Sequence, residues 1–299
     1  MQLITNDQID VLIDCAGHSK GNRLPLLARK PAPISVTFLG SPGTTGLNSI
    51  GYRFTDSFAD PPKEGNVFST EKLVRLPNGF LTYMPLIEMP AVAPVPFLKT
   101  GIVTFGSLNN RLKLNDSVIR PWAEILLSVP LSRLILKDRC FSFPAMVDDM
   151  RQRFSNHGIT PDRIDIRAYD ASINDHFQIF KEVDIALDPF PYNGTTSTCD
   201  ALYMGVPVVS LLGDSYIGRM TTMILSRCGL TEYVAKNALD YVRIASGLAR
   251  DLEKLQSLRL NLREMLQTST LGTPKLVARD MEHFYSAAVR GESLPFVYT

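Results

Sequence analysis

The sequence has no paired cysteines, no excess of charge and no long apolar run, and each absence removes a class of protein. Cys15, Cys140, Cys199 and Cys228 stand apart without CxxC spacing. That argues against a zinc site or a disulfide framework and fits reduced thiols. Lys and Arg number 31 against 30 Asp and Glu, leaving a formal net charge of +1. No bulk electrostatic case follows for nucleic acid or for an anionic membrane surface. Any anion must be held locally. No apolar stretch reaches the roughly 20 residues that span a bilayer. The opening Met1–Gln8 lacks the basic and apolar segments of a secretory signal, so a cytoplasmic setting is expected. No Asp-x-Asp pair is present to hold a metal ion. What remains is ordinary globular material: 299 residues, 45% hydrophobic and 20% charged, enough for two domains with substantial cores.

Short apolar runs alternate with longer amphipathic ones, the pattern of parallel α/β sheets. Strands are expected at Asp10–Cys15, Ser35–Gly40, Tyr52–Asp56 and Lys72–Leu76. The proline-rich Pro85–Pro96 should be extended and reads as a linker between two lobes. Beyond it, strands at Ile102–Leu108, Arg133–Lys137, Arg163–Ala168, Asp184–Leu187 and Pro207–Leu212 each lead into a helix. These helices fall at Ser117–Ser128, Pro144–Asn156, Ile173–Phe180, up to Met204, and Tyr216–Arg227. Near-continuously apolar strands suit a sheet covered on both faces. A doubly wound domain of this kind binds ligands outside the C-terminal strand ends. Ala238–Leu266 and a last helix from Thr273-Pro274 complete the chain.

At the end of one strand stands Asp188-Pro189-Phe190-Pro191-Tyr192-Asn193-Gly194-Thr195-Thr196-Ser197-Thr198-Cys199-Asp200. Glycine lets the backbone pass close to a ligand, and hydroxyl residues follow at a helix start, where unpaired N–H groups and the helix dipole favour an anion. The segment is either an anion site or a well-capped helix, since Ser and Thr are common caps. Asp200, one turn inside, is either a hydroxyl acceptor or an exposed acid. Gly106–Lys113 leaves the first strand of the same lobe, and Lys113 is either a point charge for a diphosphate or a solvated loop lysine. His176 is spaced to pack beside Ile173 and Phe180, or to stack on a base from the crevice edge. Arg219 either adds charge to the crevice or pairs with a carboxylate. In the first lobe, Phe38–Gly46 is a glycine-rich strand exit, while His18 and Lys20 are surface or cleft residues.

Several segments together resemble the catalytic region of the O-GlcNAc transferase and SPINDLY-like family of GT-B glycosyltransferases. They are Gly-His-Ser-Lys-Gly-Asn-Arg (17–23), Arg-Lys-Pro-Ala-Pro-Ile (29–34), Leu-Gly-Ser-Pro-Gly-Thr-Thr-Gly (39–46), Phe-Gly-Ser-Leu-Asn-Asn (105–110), Asp-Ile-Ala-Leu-Asp-Pro-Phe-Pro-Tyr-Asn-Gly-Thr-Thr (184–196) and Met-Gly-Val-Pro-Val-Val (204–209). The resemblance runs from about Asp10 to the final helix. It implies an α/β GT-B fold of two Rossmann-like lobes, here with an incomplete N-terminal lobe and linker in 1–96. Residues 97–299 would form the donor-binding lobe with its closing helices.

The same resemblance implies inverting, metal-independent transfer of a sugar to Ser or Thr hydroxyls of an acceptor protein. UDP-GlcNAc is the expected donor, with GDP-fucose or a binding remnant without turnover as alternatives. No cofactor is called for. Thr196 and Ser197 would reach the diphosphate, with Asn193, Gly194 and Thr195 beside them. Lys113 would stabilise the departing nucleoside diphosphate, and Asn110 takes the place of a family glutamine. His176 matches a uracil-stacking histidine and Asp200 a ribose-binding acid. Leu39 and Gly40 fall where the first lobe closes over the donor sugar. For the general base, Asp188, His18 and a group outside the chain stay open. Family members carry tetratricopeptide repeats of about 34 residues, and none is visible here, so a repeat-bearing segment or partner is expected to cover the first lobe.

Overall fold

The computed structural model describes residues 1–40, 43–62, 64, 68–85, 87–169 and 172–297. Two compact units divide the chain. The first holds Met1–Tyr83, Ser215–Arg219 and Thr270–Thr299; the second holds Met84–Asp214 and Met220–Ser269.

In the first unit, β1 (Val11–Asp14), β2 (Ile34–Thr37), β3 (Tyr52–Thr55) and β4 (Lys72–Arg75) pair in sequence order, all parallel. The helix Pro274–Arg290 packs on this sheet. Its fully buried Phe284 meets Tyr52 and Phe54 edge-on, with ring centroids 5.1 and 5.3 Å apart. Asp280 on the same helix accepts the Asn78 N–H at 3.0 Å. The chain then returns to β4, where the Arg75 N–H donates to the Phe296 carbonyl at 2.9 Å.

The sequence led us to expect a division at residue 96 and closing helices in the donor lobe. Instead the last helix belongs to the first unit, because its aromatic face finds β3. The linker joins the second unit: Val95 is buried, and Arg263 donates to the Pro90 carbonyl at 2.7 Å.

A buried ion pair braces the first unit. The Arg53 guanidinium grips Asp60 with two bonds of 3.0 and 3.3 Å, Thr55 donates to Asp60 at 2.5 Å, and Arg75 donates to the Asp60 carbonyl at 2.7 Å. Tyr216 lies against the same arginine, whose guanidinium carbon is 4.8 Å from the ring centroid.

In the second unit the strands are β5 (Val103–Ser107), β6 (Ser132–Lys137), β7 (Ile164–Arg167), β8 (Ile185–Leu187), β9 (Val208–Leu211) and β10 (Val234–Ala235), in the order β10-β9-β8-β5-β6-β7. All are parallel. The five expected strands are present. The two-residue β10 carries too little pattern to be seen in a sequence. Helix Asp116–Ser128 buries Val118, Trp122, Ile125 and Leu126 along one face, as its periodicity requires.

One expected helix is broken, and the helical tail divides. Tyr216–Arg227 begins with a short turn over Tyr216–Gly218, and its regular helix runs Met220–Arg227. The stretch Ala238–Leu266 is two helices, Ala238–Arg250 and Leu252–Thr268. Between them the Asp251 side chain accepts the Lys254 N–H at 2.9 Å and restarts the helix. Among the described residues, no helix is long and apolar enough to cross a membrane.

Breaking a buried pair strands a charge without compensation. Asp60→Ala should therefore cost about 3–5 kcal/mol, read as a lower urea midpoint by far-UV circular dichroism. A loss below about 1 kcal/mol, the level of a surface pair, would mean that water reaches the site.

Candidate donor-binding site

The sheet order decides where a ligand can sit in the second unit. From β5 the chain moves outward through β6 and β7; from β8 it moves the opposite way through β9 and β10. Neighbouring strands β5 and β8 thus flank the switch point, and their C-terminal ends open a crevice. The segments that leave them are Leu108–Lys113 and Asp188–Ser197.

These segments meet. The Lys113 ammonium donates to the Asn193 carbonyl at 2.8 Å and to Asn109 Oδ1 at 3.3 Å, and lies 4.3 Å from the Tyr192 ring centroid. The Ser197 hydroxyl donates to the same Asn109 oxygen at 3.1 Å. Asn109 is therefore the amide that joins the two loops. Asn110 instead turns its side chain back to accept the Leu112 N–H at 2.9 Å, capping the short turn Arg111–Lys113. The resemblance singles out Asn110 and gives no role to Asn109. Burial makes the choice: Asn109 is 8% exposed, and Asn110 faces solvent.

Helix Thr196–Tyr203 starts beside the lysine. Its first internal bond runs from the Cys199 N–H to the Thr195 carbonyl, so the N–H groups of Thr196, Ser197 and Thr198 have no acceptor within the helix. Asp200 sits one turn on, largely buried.

Beneath the loop lies Asp188, 1% exposed. One carboxylate oxygen accepts the Gly194 N–H at 2.6 Å, and the other accepts the Ser210 hydroxyl at 2.7 Å. Its backbone carbonyl accepts from the Tyr241 hydroxyl at 3.0 Å, which in turn accepts the Trp122 indole N–H at 3.1 Å. Burial pushes the Asp188 carboxyl up to about 6, although Ser210, Gly194, Thr221 and the Lys113 charge all favour its ionised form. Burial pulls Lys113 below the ordinary lysine value, while the charge of Asp188 pulls it back up. Asp188 was one of the candidates for a general base. Both its oxygens are occupied and water cannot reach them, so it is not placed to take a proton from an acceptor hydroxyl.

Gly194 has no room for a side chain. A Cβ there would stand 2.6 Å from the Ser197 hydroxyl, 2.8 Å from the Thr198 hydroxyl and 2.9 Å from Asp188 Oδ1.

His176 lies in the short helix that follows β7, its ring stacked on Tyr169 at 6.0 Å and 25°. The Arg139 guanidinium approaches Tyr169 at 5.3 Å. Burial, with the Lys137 charge, pushes the imidazole down to about 4. The ring is thus neutral at physiological pH.

The remaining candidates fall in the first unit. Leu39 has a left-handed backbone (φ 62°) and is half exposed. A Cβ on Gly40 would lie 2.4 Å from the Ala16 backbone, so only glycine fits that crossing. Glu71 pins the following turn, accepting the Thr45 N–H at 2.7 Å, the Thr44 hydroxyl at 2.7 Å and the Ser69 hydroxyl at 2.8 Å, besides the Thr45 hydroxyl. Ser41 and Pro42 of the expected glycine-rich exit lie outside the described residues. His18 and Lys20 are exposed. Arg219 pairs with a carboxylate, that of Glu64 at 2.9 Å. Among the described residues, no three His, Cys, Asp or Glu side chains gather as a metal site would require.

A family model, glycosyl transferase family 41, matches residues 1–84 and 97–281. The chain belongs to that family. It is 42% identical over 294 residues to a protein of Solanum lycopersicum named probable UDP-N-acetylglucosamine--peptide N-acetylglucosaminyltransferase SPINDLY, covering 96% of this chain and 31% of the tomato protein. It is 32% identical over 295 residues to the Arabidopsis thaliana protein SEC, of the same named activity, covering 95% of this chain and 30% of that protein. The chain therefore spans about a third of the length of these relatives. Among solved structures, a mutant of the Thermobaculum terrenum O-GlcNAc transferase superposes with a TM-score of 0.90 at 32% identity, covering 97% of this chain and 55% of that one. The family 41 chain has the GT-B fold, built on parallel α/β sheets.

Two measurements test this geometry. Gly194→Ala should cost about 1–3 kcal/mol from overpacking, seen as a lower thermal midpoint; an unchanged midpoint would mean the turn is loose. The His176 ring, followed by NMR, should titrate near pH 4, whereas a midpoint near the ordinary 6.5 would place it in solvent.

Proposed function

We propose that this family 41 chain binds a nucleoside-diphosphate sugar in the β5/β8 crevice and transfers the sugar to Ser or Thr hydroxyls of an acceptor protein. UDP-GlcNAc is the donor that the relatives' names point to. The observation that carries the proposal is the convergence of Lys113, Asn109 and the opening of helix Thr196–Tyr203 at the switch point. The lysine charge, the first-turn N–H groups and the Thr195, Thr196 and Ser197 hydroxyls together form a fixed positive field. A departing diphosphate gains charge as the glycosidic bond breaks, and groups already oriented toward it lower the barrier without reorganising. His176, neutral and flat, suits a base, and Asp200 suits a ribose hydroxyl. Leu39 and Gly40 suit the sugar. The acceptor would be a protein or peptide in the cytoplasm, presented with the help of a tetratricopeptide-repeat segment or partner.

Calorimetry of the purified protein with UDP-GlcNAc and with GDP-fucose, combined with assay of nucleotide released when a Ser- and Thr-containing acceptor protein is added, separates the alternatives. Binding and release with UDP-GlcNAc support the proposal. Binding of GDP-fucose alone changes the donor, binding without release marks a remnant, and no binding of either sinks the donor site. Lys113→Ala should weaken nucleotide binding by about 1–3 kcal/mol, the contribution of a charged hydrogen bond. Unchanged affinity in that variant would move the site elsewhere.

A further inference from the structure

We propose that Asp188 is the positioning residue of this site: its carboxylate fixes the Gly194 turn, and through it the direction of the N–H groups that open helix Thr196–Tyr203, without touching the donor. The inference rests on the donor-site reading above and assigns a role to the acid buried beneath the Gly194 turn.

Electrostatics alone would not put a carboxylate here. A negative charge under an anion site opposes the anion, and a buried charge is costly unless hydrogen bonds replace its water. Asp188 therefore has to be explained by the geometry it imposes. Its two oxygens join β9, through Ser210, to the turn, through Gly194. Thr221, on helix Met220–Arg227, completes the ring: its hydroxyl donates to the Gly194 carbonyl at 3.1 Å and lies 3.0 Å from the Thr198 hydroxyl. Both backbone groups of Gly194 are thus held, the N–H by Asp188 and the carbonyl by Thr221. With the peptide planes on either side of Gly194 fixed, the planes that follow at Thr195 and Thr196 have little freedom. The titratable groups facing Asp188 are Lys113, from the β5 loop, and Tyr241, from helix Ala238–Arg250. Ser210, Thr221 and Thr198 present only hydroxyls.

This role separates shape from charge. Asparagine has the shape of aspartate; its oxygen can accept the Gly194 N–H and its amide can donate to the Ser210 oxygen. Asp188→Asn should keep the turn and remove the repulsion. Its affinity for UDP or GDP, measured by calorimetry, should equal or exceed that of the wild type. Asp188→Ala leaves the Gly194 N–H without its acceptor and should bind about tenfold more weakly or worse, the effect of one charge-assisted hydrogen bond. Thermal melts establish that each variant is folded. If Asp188→Ala does not fold, Ser210→Ala removes a single bond and should weaken binding by about threefold or more.

A loss in Asp188→Asn as large as in Asp188→Ala would mean that the charge itself acts, and would overturn the positioning role. Wild-type affinity in folded Asp188→Ala or Ser210→Ala would overturn it as well. In either case the donor site stands, because the wild type still binds nucleotide. A wild type that binds neither nucleotide removes the site and the role together.

Discussion

A carboxylate without access to water lies at the base of the candidate site, and the surrounding structure is arranged to tolerate it. Leaving such a charge unpaired costs several kcal/mol. Ser210, the Gly194 N–H, Thr221 and the nearby lysine charge all favour the ionised form of Asp188. Satisfying those bonds fixes Ser210 on β9, the turn at Gly194 and the crossing of helix Met220–Arg227. The Trp122–Tyr241 pair fixes the carbonyl of the same residue from the opposite side. One buried acid therefore ties neighbouring strands and helices to the turn at Gly194.

The turn is possible only with glycine. Three oxygens crowd the place where a Cβ would stand, so the backbone can come within hydrogen-bonding distance of Asp188 at no other residue type. The same logic holds in the first unit, where Gly40 passes the Ala16 backbone. In both units a strand ends, a glycine allows close approach, and an acid below takes the exposed N–H groups: Asp188 takes that of Gly194, and Asp14 takes those of Ala16 and Gly17 at 3.1 and 2.9 Å. Glu71 does the same for the Thr44–Thr45 turn. Hydrogen bonds from Thr45, Thr44 and Ser69 outweigh its burial and hold its carboxyl below the ordinary value. Its contribution to stability is present above the ordinary carboxylate range and is lost as the pH falls through the lowered value.

Much of this was legible in the sequence because it is local. Apolar strands, the 3.6-residue face of Trp122, and a glycine before a row of hydroxyls at a helix start all lie within short windows. What was not legible is what depends on contacts between distant segments. The resemblance pointed to Asn110, and the part of Asn109 shows only once β5 and β8 are neighbours and its amide meets Ser197 and Lys113. The last helix reads as the end of the donor lobe until its Phe284 meets Tyr52 and Phe54, more than 200 residues earlier. Asp188 stands open as a base candidate until the Gly194 N–H and the Ser210 hydroxyl are seen to take its two oxygens.

On the proposed donor-site reading, the arrangement also lets a lysine and an aspartate lie close together with the lysine left for an incoming anion. A close salt bridge would neutralise both charges and leave little field for a diphosphate. Here the oxygens of Asp188 are taken by neutral donors, and the hydrogen bonds of Lys113 go to the Asn193 carbonyl and the Asn109 amide oxygen, which are neutral acceptors. The lysine is oriented without being neutralised, and its remaining contact is the face of Tyr192, which is 42% exposed. A π face attracts a cation by about 0.5–2 kcal/mol, less than a charge-assisted hydrogen bond to a phosphate oxygen. A diphosphate arriving at the proposed site would displace the ring while the two bonds that aim the ammonium stay intact. Asp188 would keep the loop in shape, Asn109 and Asn193 keep the lysine in place, and its charge would be left for the proposed leaving group.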